Sequence, residues 1–325
     1  MISAAIVGLG RWGRSFVESV HRKSQRISFV RAIDTEPVEA GKFAAERGIP
    51  FSTQLEDALA DPAVDAVVLV TPHSLHRDQV MASARAGKHV FCEKPLALKL
   101  ADARAMVNAC AAASVALGVG HNRRFWPALQ ELKRIVDSGS LGELLHIEGH
   151  NSNENSNRVQ GGWRLSPEES PGGGMTGAGL HVLDTFIALF GPVRRVRAQL
   201  LSRKPEPAPL DSVCATYEFR NGASGQLATV RATPFYWRIH VFGSSGSAEV
   251  LGETELVLRE SGAQPRRVRL RPADSLLAEL EAFADAAEGR AAFPVPPEQM
   301  LATVGAFEAT VRAMQSGEAV HADGP

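Results

Sequence analysis

The sequence predicts an α/β protein with an N-terminal doubly wound parallel sheet of Rossmann type and a C-terminal α+β domain built on a large, mostly antiparallel open sheet. Two observations predict this fold class. Short apolar runs alternate with helical segments up to residue 121, whereas only strand-like runs broken by turns occur from Val193 to Leu270. Because 325 residues exceed one ordinary core, we expect two domains, 1–121 and 122–325.

The chain begins with a strand, a glycine turn and a helix. The apolar run that ends at Val7 predicts a buried first strand, and Gly8-Leu9-Gly10-Arg11-Trp12-Gly13 follows it. In this pattern the first glycine permits a tight turn, the second lets the backbone approach a pyrophosphate, and the third lets the next helix pack closely. A second apolar run ends at Asp34, 21 residues after Gly13, where a carboxylate binds ribose hydroxyls. We therefore predict a dinucleotide site, with Arg11 over the pyrophosphate.

The rest of the first domain continues the alternation. Thr71-Pro72 and Glu93-Lys94-Pro95 each follow an apolar strand, at the edge of a parallel sheet where ligands bind. Helices are expected near 38–47, 55–60, 75–86 and 99–113, and strands at 50–52, 63–70, 88–92 and 115–119.

The second domain does not continue the regular alternation of strands and helices. A strand is expected at 143–151, and Gly172-Gly173-Gly174 precedes an apolar helix over 178–190. Further helices are expected at 127–138, 276–288 and 298–316.

Composition excludes several classes of protein. The net charge is -1 with both signs interspersed, which argues against a nucleic-acid partner. No leader pattern or apolar stretch of about 18 residues is present, so we expect a cytoplasmic protein that does not enter a membrane. The three cysteines are scattered, which favours reduced thiols, and no histidine spacing supports a metal site.

The combined motifs resemble the glucose-fructose oxidoreductase / inositol dehydrogenase / rhizopine-catabolism (Gfo/Idh/MocA) family. The resemblance spans the chain and rests on the glycine turn, Thr71-Pro72 with His76, Cys92-Glu93-Lys94-Pro95-Leu96, Arg123-Arg124-Phe125, and Gly179-Leu180-His181-Val182-Leu183-Asp184. It implies an oxidoreductase that uses NAD, with NADP possible, to oxidise or reduce a sugar, cyclitol or related secondary alcohol. It also implies a dimer or tetramer formed through the C-terminal sheet.

Oxidation of an alcohol needs a base for the hydroxyl proton while the hydride leaves carbon. By resemblance Lys94 is the catalytic lysine, and its bond to Pro95 is expected to be cis. Trp12, Thr71, Pro72, His76 and Pro95 are predicted to contact the cofactor, and Glu93 to contact the cofactor, form an ion pair or support the loop.

His181 is the second catalytic candidate. In the first turn of its helix, the positive helix end would keep the ring neutral and able to accept a proton. Asp184 is expected to orient that ring or the substrate, or to form a salt bridge elsewhere. Arg123 and Arg164 are the other predicted substrate ligands.

One position departs from the family pattern. Many members carry Asp-x-Gly-x-His here, whereas this chain has Gly177-Ala178-Gly179-Leu180-His181. Three explanations are open. Either another residue supplies the carboxylate, or Lys94 and His181 suffice for catalysis, or turnover is lost and the protein is a cofactor-binding regulator. The absence of a carboxylate at position 177 also suggests that the substrate itself is acidic. Asp34, with Glu36 nearby, favours NAD over NADP because carboxylates repel a 2′-phosphate.

Overall fold

The protein forms two compact units. Unit 1 comprises Met1–Ala97, Ala101–Asn122 and Asp274–Pro297, and unit 2 comprises Leu98–Leu100, Arg123–Ala273 and Glu298–Pro325. The structure, a computed structural model, describes residues 1–154, 162–163, 166–202 and 211–323.

Unit 1 contains a six-stranded parallel sheet, as predicted. Its order is β3-β2-β1-β4-β5-β6, and every neighbouring pair is parallel. The strand order reverses direction between β1 and β4, which is where a doubly wound sheet binds dinucleotides. The strands are β1 Ile2–Val7, β2 Ile27–Ile33, β3 Phe51–Ser52, β4 Ala66–Leu69, β5 His89–Glu93 and β6 Leu117–Gly120.

Five helices connect these strands. The first begins at Arg11, inside the glycine turn, and buries Gly13, Phe16, Val17 and Val20. That spacing places one apolar face on the sheet. The helices are α1 Arg11–Val20, α2 Pro37–Glu46, α3 Leu55–Leu59, α4 His76–Arg85 and α5 Leu100–Ala112.

Unit 2 contains a nine-stranded sheet in the order β14-β13-β12-β11-β7-β10-β9-β8-β15. The sheet is mostly antiparallel, as expected, but β7 pairs in parallel with β10. The two-residue strand β15 was not predicted, because two residues are too few to show a period. The strands are β7 Leu144–Ser152, β8 Val193–Ser202, β9 Asp211–Phe219, β10 Ser224–Val230, β11 Tyr236–Gly243, β12 Gly246–Leu251, β13 Glu255–Glu260, β14 Arg266–Arg269 and β15 Val320–His321.

One face of this sheet carries the core of unit 2. Helices α6 (Pro127–Asp137) and α7 (Leu180–Phe190) contribute side chains to the same apolar cluster as the inward-facing residues of the strands. Gly149 allows α7 to pack closely on β7, because a Cβ there would lie 2.2 Å from Val182 Cγ1.

The last two helices are α8 (Ser275–Ala287) and α9 (Pro297–Ser316). Although it lies in the stretch expected to form the second domain, α8 belongs to unit 1. Leu280 and Phe283 are fully buried there, and the Phe283 ring lies 5.6 Å from that of Phe91. Among the described residues, no helix is long and apolar enough to cross a membrane.

Candidate active site

The glycine turn of unit 1 has the geometry that a pyrophosphate requires. Gly8 has φ +94°, and a Cβ there would lie 2.5 Å from the Val70 carbonyl oxygen. A Cβ at Gly13 would lie 1.8 Å from the Gly8 oxygen, whereas the space beside Gly10 is open within 4 Å. Gly10 caps α1 without a side chain, so the first amides of that helix face an uncovered position. The turn therefore fits a dinucleotide phosphate.

Asp34 lies at the end of β2 and is tied to this turn. Its Oδ2 accepts from the Leu9 amide at 2.6 Å and its Oδ1 from the Glu36 amide at 2.9 Å. Each carboxylate oxygen keeps a further lone pair for a ribose hydroxyl. Glu36 caps α2 by accepting from the amides of residues 38, 39 and 40, and these hydrogen bonds hold the pKa of Glu36 below its usual value.

His76 joins the loops that follow β4 and β5. It is fully buried, with Nδ1 2.9 Å from the Pro95 carbonyl oxygen and Nε2 3.1 Å from that of Thr71. The Lys94–Pro95 peptide bond is cis. Thr71 also donates from its hydroxyl to Gln79 Oε1 at 2.6 Å. His76 and Thr71 thus have structural partners, and their predicted contact with the cofactor stays a prediction.

Glu93 precedes the candidate lysine and points back toward the glycine turn. Its Oε1 accepts from Trp12 Nε1 at 2.8 Å, and its Oε2 accepts from the Lys94 amide at 3.1 Å. Glu93 was expected to contact the cofactor, to form an ion pair or to support the loop, and this geometry matches support of the loop. Lys94 itself follows β5 at the carboxyl edge of the sheet.

Glu279 on α8 was not singled out from the sequence. Its side chain is fully buried, and burial raises its pKa well above the usual value, with the charges of Glu93 and Asp274 acting in the same direction. The sequence feature that could have identified Glu279 is that it is a single acid among the apolar positions of that helix, Leu276, Leu280 and Phe283.

In unit 2, His181 lies in the first turn of α7 but not at a free helix end. A π-helical turn, Met175–Gly179, leads directly into α7, and the Leu180 amide donates to the Met175 carbonyl. The helical run that carries His181 therefore begins at Met175, before α7, and the expected effect of the positive helix end on the imidazole stays a prediction. His181 is 9% exposed. Gly177 is exposed, with open space where a side chain would lie.

Asp184 has an arginine partner within unit 2. Arg124 Nε lies 2.8 Å from Oδ2 and Nη2 lies 2.5 Å from Oδ1. Arg124 also donates to Gln299. Of the two alternatives for Asp184, this arrangement matches the salt bridge.

Arg123, the predicted substrate ligand beside it, is stacked among aromatic rings. Its guanidinium carbon lies 4.1 Å from the Trp237 ring centroid, 4.7 Å from that of Trp126 and 5.9 Å from that of Phe235. Burial lowers the pKa of Arg123 to about 9, and its Nη1 has no hydrogen-bond partner among the described residues. Arg164, the other predicted ligand, lies outside the described residues.

Comparison with known proteins gives one consistent result. Residues 2–121 match the model of the Gfo/Idh/MocA oxidoreductase family with an NAD-binding Rossmann fold, and residues 129–249 match the Gfo/Idh/MocA C-terminal domain. A 1,5-anhydro-D-fructose reductase of Ensifer adhaerens is 30% identical in an alignment of 330 residues that covers 96% of this chain and 98% of the relative.

Two further proteins extend the comparison. The scyllo-inositol 2-dehydrogenase (NAD(+)) of Bacillus subtilis is 30% identical over 254 residues, 76% of this chain and 72% of the relative. The structure of a levoglucosan dehydrogenase in complex with NADH and L-sorbose shares the fold with a TM-score of 0.89 at 20% identity, covering 100% of this chain and 99% of that one. With its glycine turn, its parallel sheet and these matches over most of its length, the chain belongs to the Gfo/Idh/MocA family of NAD-binding oxidoreductases.

Proposed function

We propose that this protein transfers a hydride between a nicotinamide cofactor and a secondary alcohol of a sugar, cyclitol or related cyclic polyol. The observation that carries the proposal is the position of Lys94. In unit 1 the turn after β1 and the lysine after β5 both lie at the carboxyl edge of one parallel sheet, where doubly wound proteins bind the nucleotide and its substrate.

When bound, the nicotinamide supplies or accepts the hydride. The chain must then manage the proton of the reacting hydroxyl. We assign this proton to the Lys94 amine, which takes it during oxidation and returns it during reduction. His181, which is buried, is the second proposed proton carrier.

The chemical class of the substrate follows from two relatives. One is named for the reduction of 1,5-anhydro-D-fructose and the other for the oxidation of scyllo-inositol. Both names describe polyhydroxylated compounds with a reacting carbinol or carbonyl carbon, and this supports a cyclic polyol for the present chain.

The outer face of the unit 2 sheet is proposed to form the homo-oligomer contact. Along β9 and β10 the inward-facing residues Val213, Tyr217 and Leu227 are buried, whereas Thr216 and Gln226 are exposed as a cross-strand pair. This leaves an extended polar face for a second copy. All three cysteines, Cys92, Cys110 and the exposed Cys214, are free thiols, which supports a reducing, cytoplasmic setting.

The test of this function is a substrate panel followed by NADH absorbance. Purified protein is assayed with NAD and NADP against cyclic polyols, and with the reduced cofactors against the matching ketones. Lys94→Ala should remove nearly all turnover while leaving NADH binding largely intact, because the amine acts on the hydroxyl and the glycine turn holds the nucleotide.

Two results would contradict the proposal. Near-normal kcat in Lys94→Ala would remove the assigned role of the lysine. A wild-type protein that binds NADH but turns over no member of the panel would instead match the regulatory hypothesis.

A further inference from the structure

The two oxygens of Glu93 receive hydrogen bonds from two separate parts of unit 1. Trp12, in the first turn of α1, donates its indole N–H to Oε1 at 2.8 Å. The backbone amide of Lys94 donates to Oε2 at 3.1 Å. One carboxylate therefore connects the glycine turn with the backbone of the candidate catalytic lysine.

The surroundings of Glu93 leave this carboxylate little freedom. The residue is 6% exposed, and a Cβ on Gly120 of β6 would lie 2.4 Å from Oε1 and 2.8 Å from the carboxyl carbon. The Trp12 ring packs edge-on against Phe16, with centroids 6.2 Å apart. Gly120 provides the space for the carboxylate, and Phe16 fixes the ring that donates to it.

Two acidic side chains in this region, Glu279 and Glu93, differ in their protonation state. Glu279 is fully buried, and neither of its carboxyl oxygens has a hydrogen-bond partner among the described residues. A buried charge without a partner is costly, so Glu279 is held as the neutral acid. Glu93 faces two N–H donors, which bind an anionic carboxylate. Asp274, the third acid nearby, caps α8 by accepting from the amides of Leu276 and Leu277.

We propose that Glu93 is a positioning residue whose carboxylate links Trp12 of the dinucleotide turn to the backbone of Lys94 and so fixes the lysine for the reaction. This inference rests on the proposed function, since it takes Lys94 as the catalytic group. It assigns Trp12 a second role beyond its predicted contact with the cofactor, that of hydrogen-bond donor to Glu93.

The proposal makes a specific demand on the side chain at position 93. The two N–H donors bind different oxygens of the side chain, and only a carboxylate accepts at both of these positions. Glutamine has the same shape but presents one acceptor and one NH₂ group. In Glu93→Gln an N–H must therefore face either the Trp12 indole or the Lys94 amide, and two donors cannot satisfy each other.

This demand leads to a double-mutant cycle. Trp12→Phe keeps an aromatic ring but removes the indole N–H, so that the glutamine of Glu93→Gln can accept from Lys94 without a conflict. Glu93→Gln alone should lower kcat by roughly tenfold to a hundredfold. In the Trp12→Phe background the same substitution should cost at least about threefold less.

The measurements separate positioning from loss of the fold. The dissociation constant for NADH is obtained by fluorescence titration, and KM and kcat by NADH absorbance. Within each background, the loss caused by Glu93→Gln should appear in kcat, with KM and NADH affinity changed by less than about threefold relative to that background. Glu56→Gln, at an exposed position of the same unit, is the matched control and should leave all three constants unchanged.

Equal losses for Glu93→Gln in both backgrounds would overturn the proposal, as would a loss confined to NADH affinity. If Glu93→Gln does not fold, Trp12→Phe alone decides: it should lower kcat by about threefold or more, and an unchanged kcat refutes the link. Failure of the proposed function gives a different result, namely that Lys94→Ala remains active.

Discussion

Arg124 and Asp184 form a two-bond ion pair inside unit 2, with the side chain of Asp184 only 3% exposed and that of Arg124 10% exposed. A buried arginine that loses its carboxylate is left without an opposite charge, and such losses cost about 3–5 kcal/mol. Asp184→Ala should therefore lower the free energy of unfolding, measured by urea denaturation, by about that amount.

Asp137→Ala is the matched control for Asp184→Ala. Asp137 pairs with Lys133 at the surface, with side chains 56% and 44% exposed, so its removal should cost at most about 0.5 kcal/mol. An unchanged stability of Asp184→Ala combined with a higher KM would favour the predicted role in substrate binding instead.

Glu279 should make the protein less stable as the pH rises. Its raised pKa means that the folded state keeps a proton which the unfolded chain releases near pH 4.3. The stabilising contribution is complete below that pH and is lost as the pH rises toward the folded-state pKa. Glu279→Gln removes this dependence.

The stability of Glu279→Gln relative to wild type should therefore increase between pH 5 and pH 8, by up to about 1.4 kcal/mol per pH unit. Urea unfolding at several pH values measures this difference. Glu56→Gln provides the exposed control, and a constant difference across the range would show that Glu279 is ionised in the folded state.

Asp34 should give NAD an advantage over NADP of at least about tenfold in affinity. Its carboxylate is held by the Leu9 and Glu36 amides, where it can accept from ribose hydroxyls but repels a 2′-phosphate. Fluorescence titration with NADH and NADPH measures the ratio. Asp34→Ser should reduce the preference, whereas Glu46→Gln on the exposed side of α2 should not. Equal affinities for NADH and NADPH, or an affinity that favours NADPH, would contradict this prediction.

His181→Ala should slow turnover by roughly two to four orders of magnitude if the imidazole carries a proton in the reaction. Affinity for NADH should stay near the wild-type value, since the nucleotide turn belongs to unit 1. A loss below about tenfold in kcat would assign His181 a packing role only.

Gly177→Asp tests the acidic-substrate hypothesis. The position is exposed and open, so a side chain meets no steric barrier there. If the natural substrate carries a carboxylate, the added charge should raise KM for it more than for a neutral alcohol of the same ring size. Gly177→Asn, equal in size but uncharged, should affect both substrates alike. If Gly177→Asp raised KM equally for the acidic and the neutral substrate, the glycine would be needed for its backbone conformation and not for the absence of a charge.

The first sheet was predictable because its signals are local. An apolar run, a glycine spacing and an acid at the end of the next run all lie within residues 4–34. The match between Trp12 and Glu93 was not predictable, because it joins residues 81 positions apart and depends on the space left by Gly120. Neither residue type alone indicates which partner it will find.

The π-helical turn was missed for another reason. Glycine-rich stretches before a helix predict a helix start, and the sequence of Met175–Gly179 has no feature that separates a π-turn from a loop. The position of His181 in the chain was therefore predicted, but the state of the amides around it was not. The pairing of Asp184 was left open between two alternatives because the register of Arg124 against α7 depends on tertiary packing.

The placement of α8 in unit 1 affects the order in which the protein can fold during synthesis. The β6 strand ends at residue 120, but the ring of Phe283 that covers Phe91 comes from a helix that starts at residue 275. At about 5–20 residues per second, the ribosome needs roughly 8 to 30 seconds to make the intervening chain. During that time the part of Phe91 that Phe283 covers stays exposed in the nascent first unit, although Phe16 of α1 already packs on the same ring, and this interval is when chaperones would be expected to bind.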